Sequence, residues 1–122
     1  IVPVSYGYDG EVIYFHCFSG KGLKLEYLQA NNRVCFEIEH GVELVSGSEK
    51  GCDWSFDFQS VIGFGMVQEV LGQSEKIKAL QCIMKQYSGE KFSFDGASLG
   101  PVAVYEIIID SITGKESANF KE

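Results

Sequence analysis

The stretch VIYFHCFSGKGLKLEYLQANN, residues 12–32, decides how this chain is read. Val12–Cys17 alternates two faces, with Val12, Tyr14 and His16 on one and Ile13, Phe15 and Cys17 on the other, as a β-strand does. Phe18–Gly22 is a Gly/Ser/Lys loop. Leu23–Ala30 follows with helical spacing, Leu25 and Leu28 on one stripe and Leu23, Tyr27 and Ala30 beside it. Asn31 and Asn32 end the helix and suit a left-handed C-terminal cap. A strand that runs through such a loop into a helix leaves free N–H groups and the positive end of the helix dipole at one point. Lys21 and Lys24 add ammonium charges there. The pattern fits a phosphorylated small ligand; a solvated turn is the plainer alternative.

Outward from this stretch the chain reads as strands. Val2–Tyr8 is an apolar strand in which Pro3 suits an edge or a strand start. Asp9-Gly10 is a hairpin turn signal. Arg33–Glu39 alternates, Val34, Phe36 and Ile38 against Arg33, Cys35, Glu37 and Glu39, and a short strand is expected near Glu43–Val45. Asp53–Val70 is aromatic and β-branched and is expected as two segments broken near Gln59–Ser60. Its Gly63 and Gly65 suggest a bend or the close approach of another backbone. Ser74 is a candidate N-cap for a helix over Glu75–Tyr87, with Ile77, Leu80, Ile83, Met84 and Tyr87 at core spacing. Val102–Ile112 reads as a central last strand, and residues 113–122 as a flexible tail. Hairpins outnumber βαβ units. The expected fold is therefore mainly β: one domain over residues 1–122, an antiparallel barrel or curled sheet with two helices outside.

Composition sets the outer bounds. The chain has 122 residues, 45% hydrophobic and 13% aromatic, enough for a real core. A net charge of -7 argues against nucleic acid as a partner, which calls for a broad basic face. No apolar run of about 18 residues suggests a membrane span. Cys17, Cys35, Cys52 and Cys82 form no C-x-x-C pair, and neither His16 nor His40 stands at a zinc-type spacing, so no metal site is expected. They read as reduced packing thiols of a cytoplasmic protein, and Ile1–Tyr8 lacks the basic stretch of a secretory leader. The chain opens on Ile1-Val2-Pro3-Val4 without an initiator Met, which raises the expectation of a sheet truncated at its N-terminal side.

Common site fingerprints are missing. Leu25 stands where G-x-G-x-x-G needs its last glycine, and neither G-x-x-x-x-G-K-[ST] nor G-x-S-x-G occurs. Nothing singles out a catalytic carboxylate pair among Asp53, Asp57 and Glu37. His16, at the end of a strand and just before the Gly/Lys loop, reads equally as a structural or a functional histidine.

Several blocks together resemble a known family. Val2-Pro3-Val4-Ser5-Tyr6, Ile13-Tyr14-Phe15-His16 with Gly20-Lys21 and Leu25, Arg33-Val34-Cys35-Phe36, Cys52-Asp53-Trp54, Ser60-Val61-Ile62-Gly63-Phe64-Gly65 and Ile112-Thr113-Gly114-Lys115 are similar, in order, to the pyridoxamine 5'-phosphate oxidase-like flavoproteins, in particular the 5-nitroimidazole resistance (Nim) type. The resemblance implies a split antiparallel β-barrel, a homodimer with FMN at the subunit interface, and an N-terminal helix and first strand ahead of the V-P-V block. It implies that Pro3, Val4, Ser5 and Tyr6 lie along the flavin ring and that His16 stands near ring and substrate as the catalytic candidate. Ser19, Lys21 and Lys24 would hold the FMN phosphate. Ser60, Val61, Ile62 and Gly63 would form a second strand against the flavin, and Trp54 would reach across the dimer. The oxidases proper carry Arg-Lys where this chain has Gly20-Lys21, which argues against vitamin B6 oxidation. The implied activity is an FMN-dependent reduction of a small electron-poor substrate such as a nitroaromatic. The alternative is a flavin- or haem-binding storage or sensor protein without turnover.

Overall fold

The computed structural model describes residues 1–20 and 22–121. The elements run β1 (Tyr6–Tyr8), β2 (Val12–Phe18), α1 (Leu23–Ala30), β3 (Arg33–Val45), a 3-10 turn (Gly51–Asp53), β4 (Ser55–Glu69), α2 (Gln73–Ser88), a one-turn helix α3 (Gly96–Leu99) and β5 (Val102–Glu116). The sheet order is β1-β2-β5-β4-β3. β1 and β2 pair antiparallel, Tyr6 opposite Phe15, and β2 and β5 pair antiparallel, His16 opposite Val104. The fold is mainly β, an antiparallel five-stranded sheet with two principal helices, and β5 is its central strand as expected.

The chain divides into two compact units. The first comprises Ile1–Val34 and Gly65–Ile109. Its core forms where α2 lies on the sheet: Ala79, Leu80 and Ile83 meet Val104 and Leu99, with Tyr14, Ile77, Val70, Phe94 and Val102 packed around them. Burying a side chain of Leu, Ile or Val size contributes about 1.5–3 kcal/mol, so this cluster is the main source of stability. Gly7 lets β1 approach α2 closely, since a Cβ there would stand 2.6 Å from the Cys82 carbonyl carbon. On the other face of β2, Ile13 and Phe15 are buried, and Phe15 stacks on Tyr105 with centroids 5.4 Å apart.

The second unit comprises Cys35–Phe64 and Asp110–Glu122. It is built from the outer lengths of β3, β4 and β5. Phe36 lies over Gly63, where any Cβ would strike its ring. Gly41 takes the left-handed conformation at φ 62°, and the Phe120 ring fills the place of a side chain, 2.7 Å from where a Cβ would stand. Glycine is required there on both counts.

Several sequence expectations are corrected. β1 begins at Tyr6, not Val2: Pro3 brings no N–H to a ladder, and the Tyr6 N–H donates to Tyr87 Oη at 2.9 Å. Arg33–Val45 is one strand, without a separate piece at Glu43–Val45, because Gly41 absorbs the bend. Ser55–Glu69 is likewise one strand, with no break at Gln59–Ser60. α2 starts at Gln73 with Gly72 as its N-cap, and the Ser74 hydroxyl donates to Glu75 Oε2 instead of capping. Asn31 is extended (φ -155°), so it is no left-handed cap; Gly89 is the left-handed residue that ends α2.

The expected flexible tail, residues 113–122, is also corrected. β5 continues to Glu116. Thr113 Oγ1 donates to Ile62 O at 3.4 Å. Ser117 N–H donates to Phe58 O at 3.0 Å and Phe58 N–H returns to Ser117 Oγ at 3.1 Å. Ring contact between Phe120 and His40 (6.3 Å) fastens the segment further along. The polar composition of 113–122 masked a strand whose satisfaction comes from backbone pairing.

Candidate functional site

The first unit carries the strand–loop–helix expected from residues 12–32. β2 ends at Phe18, and Ser19 is pinned at once: its N–H donates to Pro101 O at 2.8 Å and its hydroxyl to Gly100 O at 3.3 Å. α1 opens after Gly22, with no side-chain cap, and its first turn bond runs from Glu26 N–H to Gly22 O at 3.1 Å. Leu25 and Leu28 are half-buried while Leu23 and Tyr27 face solvent, so the predicted stripe is the one that packs. Lys24 is half-buried in the first turn, close enough for its charge to act on the Cys17 thiol. Lys21 lies outside the described residues. An uncapped helix start, a lysine in its first turn and a hydroxyl before it form a donor set suited to a phosphate. Ser19 would have to exchange its long bond to Gly100 for a phosphate oxygen.

Beside this junction a small polar group gathers on β2, β4 and β5. Burial pushes the Cys17 thiol up from its ordinary value, Lys24 pulls it down and Glu69 adds to the rise. Burial also raises Tyr105, helped by the Glu69 carboxylate, to which the phenol hydrogen-bonds. Cys17 is therefore an ordinary thiol and no activated nucleophile. A cavity of about 140 Å³ lies here, lined by Ser19, Glu69, Lys76, Gly100 and the start of β5.

His16 is exposed on β2 on the same face as Tyr14, opposite Val104. Tyr6 stands on β1, edge-on to Tyr87 with centroids 6.1 Å apart. Pro3, Val4 and Ser5 precede β1 and are exposed. The first unit thus holds Tyr6, His16, Ser19 and Lys24 on neighbouring elements.

The other predicted residues belong to the second unit. Ser60 and Val61 are half-buried, Ile62 is exposed and Gly63 is buried beneath Phe36. Ser60 and Val61 line a groove of about 400 Å³ together with Gln59, Gly114, Lys115 and Glu116. The last three fall in the stretch read as a tail, so sequence reasoning missed them; the Ile112–Lys115 block within the resemblance was the one signal pointing there. Trp54 donates its indole N–H to Ser48 O at 3.0 Å and is held to its own loop, where the Ser48 hydroxyl also meets the Asp53 carboxylate. Among the described residues no three His, Cys, Asp or Glu side chains gather as a metal site would, and no helix is long and apolar enough to cross a membrane.

The family model described as pyridoxamine 5'-phosphate oxidase matches residues 1–116. The chain belongs to the pyridoxamine 5'-phosphate oxidase family. No curated protein matches it significantly. Among solved structures it is similar to a Bacteroides thetaiotaomicron protein provisionally named a 5-nitroimidazole antibiotic resistance protein, at 33% identity and TM-score 0.78 over 93% of this chain and 66% of that one. Two others share the fold at 16% identity. One is a flavocytochrome from Azotobacter vinelandii (TM-score 0.74, 98% of this chain, 56% of that one). The other is an FAD and heme binding protein from Mycobacterium smegmatis (TM-score 0.76, 99% of this chain, 60% of that one). The chain therefore spans two thirds or less of the length of these structures. Within this family the sheet and its two helices are the split-barrel arrangement that the sequence resemblance implied.

Proposed function

We propose that this member of the pyridoxamine 5'-phosphate oxidase family binds FMN as a homodimer and reduces a small electron-poor substrate, a nitroaromatic by analogy with its Bacteroides relative. The observation that carries this reading is the β2–α1 junction: an uncapped helix start with Lys24 in its first turn, preceded by Ser19 fastened to Gly100 and Pro101. Lys24 and the first-turn N–H groups would hold the phosphate with Ser19 beside them, and the family resemblance assigns Lys21 to the same task. When bound, FMN supplies hydride or electron transfer at its ring, which no side chain of this chain could provide. By the family resemblance Tyr6 and the Pro3–Ser5 segment would lie along a flavin ring, and Ser60, Val61, Ile62 and Gly63 would face a flavin as well. His16 donates a hydrogen bond or a proton to the substrate. Its exposed position on β2 leaves it free to do so.

The exposed apolar surface of the single chain fits the same reading. Phe56, Ile62, Phe64 and Ile112 are about half exposed or more in the single chain, and a second copy would cover such a surface. Trp54 is proposed to reach the partner, which requires its hydrogen bond to Ser48 O to open.

The test begins with an absorbance spectrum and an FMN titration of the purified protein. Bound flavin, at least tenfold weaker binding in Lys24→Ala, and a His16→Ala variant that keeps FMN but loses turnover of a nitro compound with NAD(P)H are the expected results. A colourless protein with no affinity for FMN would overturn the reading. A haem Soret band, or flavin that NAD(P)H and nitro compounds leave unchanged, would favour a cofactor-binding protein without turnover.

A further inference from the structure

The groove between the start of β4 and the end of β5 holds a charge that the site described above does not use. Among the described residues six line it, Gln59, Ser60, Val61, Gly114, Lys115 and Glu116, and Lys115 is the one cation of these. The one carboxylate, Glu116, accepts a hydrogen bond from Gln59 Nε2 at 2.8 Å, so its negative charge is tied to Gln59. Gly114 contributes no side chain and leaves the groove open beside Ser60, where a Cβ would only just reach the Ser60 carbonyl oxygen at 3.8 Å.

Lys115 is also well mounted. Thr113 Oγ1 bonds to Ile62 O two residues before it, and Ser117 exchanges two hydrogen bonds with Phe58 two residues after it. A lysine on a loose tail would spread its charge through solvent. On a strand pinned at both sides its backbone is held at the groove that it lines with Ser60 and Val61.

We propose that Lys115 is a flavin-facing residue whose ammonium stands at the Ser60–Val61 wall and favours the negative charge that a flavin takes up on reduction. The inference rests on the flavin reading above. A fixed cation stabilises the more negative partner of a redox pair more than the neutral one, and so raises the reduction potential. Lys115 is exposed and outside every buried cluster, so its replacement leaves the fold intact.

The test is a charge series, Lys115→Arg, Lys115→Gln and Lys115→Glu, with Lys78→Gln on the exposed face of α2 as control. Each variant is loaded with FMN and titrated reductively against a dye of known potential. Lys115→Arg should keep the wild-type potential. Lys115→Gln should lose about tenfold in affinity for reduced relative to oxidised flavin, about 30 mV downward for a two-electron couple. Lys115→Glu should fall further, and Lys78→Gln should not move. Loss of flavin from Lys115→Gln with retention in Lys115→Arg supports the charge as well; loss from both overturns it. Equal potentials across the series, with flavin bound throughout, sink the role of Lys115 and leave the flavin reading standing. A wild-type protein that binds no flavin sinks both.

Discussion

The two units differ in where they put their apolar residues. Every buried apolar side chain among the described residues belongs to the first unit: Ile13, Phe15, Val67, Ala79, Leu80, Ile83, Leu99, Ala103, Val104 and Ile107. The second unit is as rich in aromatic and β-branched residues, yet Leu44, Trp54, Phe56, Ile62, Phe64 and Ile112 face solvent. In the first unit α2 covers the face of Tyr14 and Val104, and the opposite face buries Ile13 and Phe15 as well. In the second unit the apolar side chains of the long strands stay open until another chain covers them. The first unit is thus stabilised from within, and the second is the part that the proposed homodimer would complete.

That contrast can be broken most sharply by mutation. Ile83→Ala empties a site only 3% exposed under α2 and should cost about 2–5 kcal/mol in denaturant unfolding. Phe64→Ser, at 53% exposure, should cost the single chain no more than about 0.5 kcal/mol at dilutions where it is monomeric. Equal losses would erase the distinction between the units. The pair Ile62→Asp and Phe64→Asp should next weaken self-association at least tenfold, about 1.4 kcal/mol, by light scattering over a concentration series. An unchanged molar mass would remove the second unit from the interface.

Smaller effects sharpen the picture. Ser117→Ala removes the acceptor for Phe58 N–H and the donor to Asp57 Oδ1 and should cost about 1 kcal/mol. Faster hydrogen exchange confined to the β4–β5 end would place that loss in the second unit. The smallest effect lies at the β1–β2 turn. The Val12 N–H, with further help from Glu11 N–H and the Tyr14 hydroxyl, holds the Asp9 carboxyl below its ordinary value of 3.8. A lowered acid pKa stabilises the fold above the unfolded value and loses that effect as pH falls through the folded one. Asp9→Asn should therefore lower stability slightly at neutrality and flatten the stability curve below about pH 4, where the carboxylate's contribution is already lost. Burial, then the Asp9 charge, pushes Tyr14 up to about 12. Its contribution is complete below the unfolded tyrosine value and fades as pH rises toward the folded one. Absorbance titration of the phenolate, compared with Tyr14→Phe, reads that shift directly.

Much of the molecule is legible in residues 12–32 and their flanks. Alternation in β2 named both faces correctly, the α1 stripe chose Leu25 and Leu28, and the spacing in α2 found Leu80 and Ile83. Those patterns repeat every two or every 3.6 residues and follow from backbone geometry alone. The outer strands were harder. Pro3 and Asn31 carried local preferences that a long-range bond from Tyr87 or an extended backbone overrode. The polar run after Ile112 looked like a tail because strand pairing is satisfied by backbone groups that composition does not reveal.

Of the site, the sequence alone determined the β2–loop–α1 junction with His16, Ser19 and Lys24, since all its parts lie within a few residues of one another. The groove of Gln59, Ser60, Gly114 and Lys115 was decided only in three dimensions. Its two walls are more than fifty residues apart in the chain, and only the antiparallel pairing of β4 with β5, written in hydrogen bonds between backbones, brings them face to face.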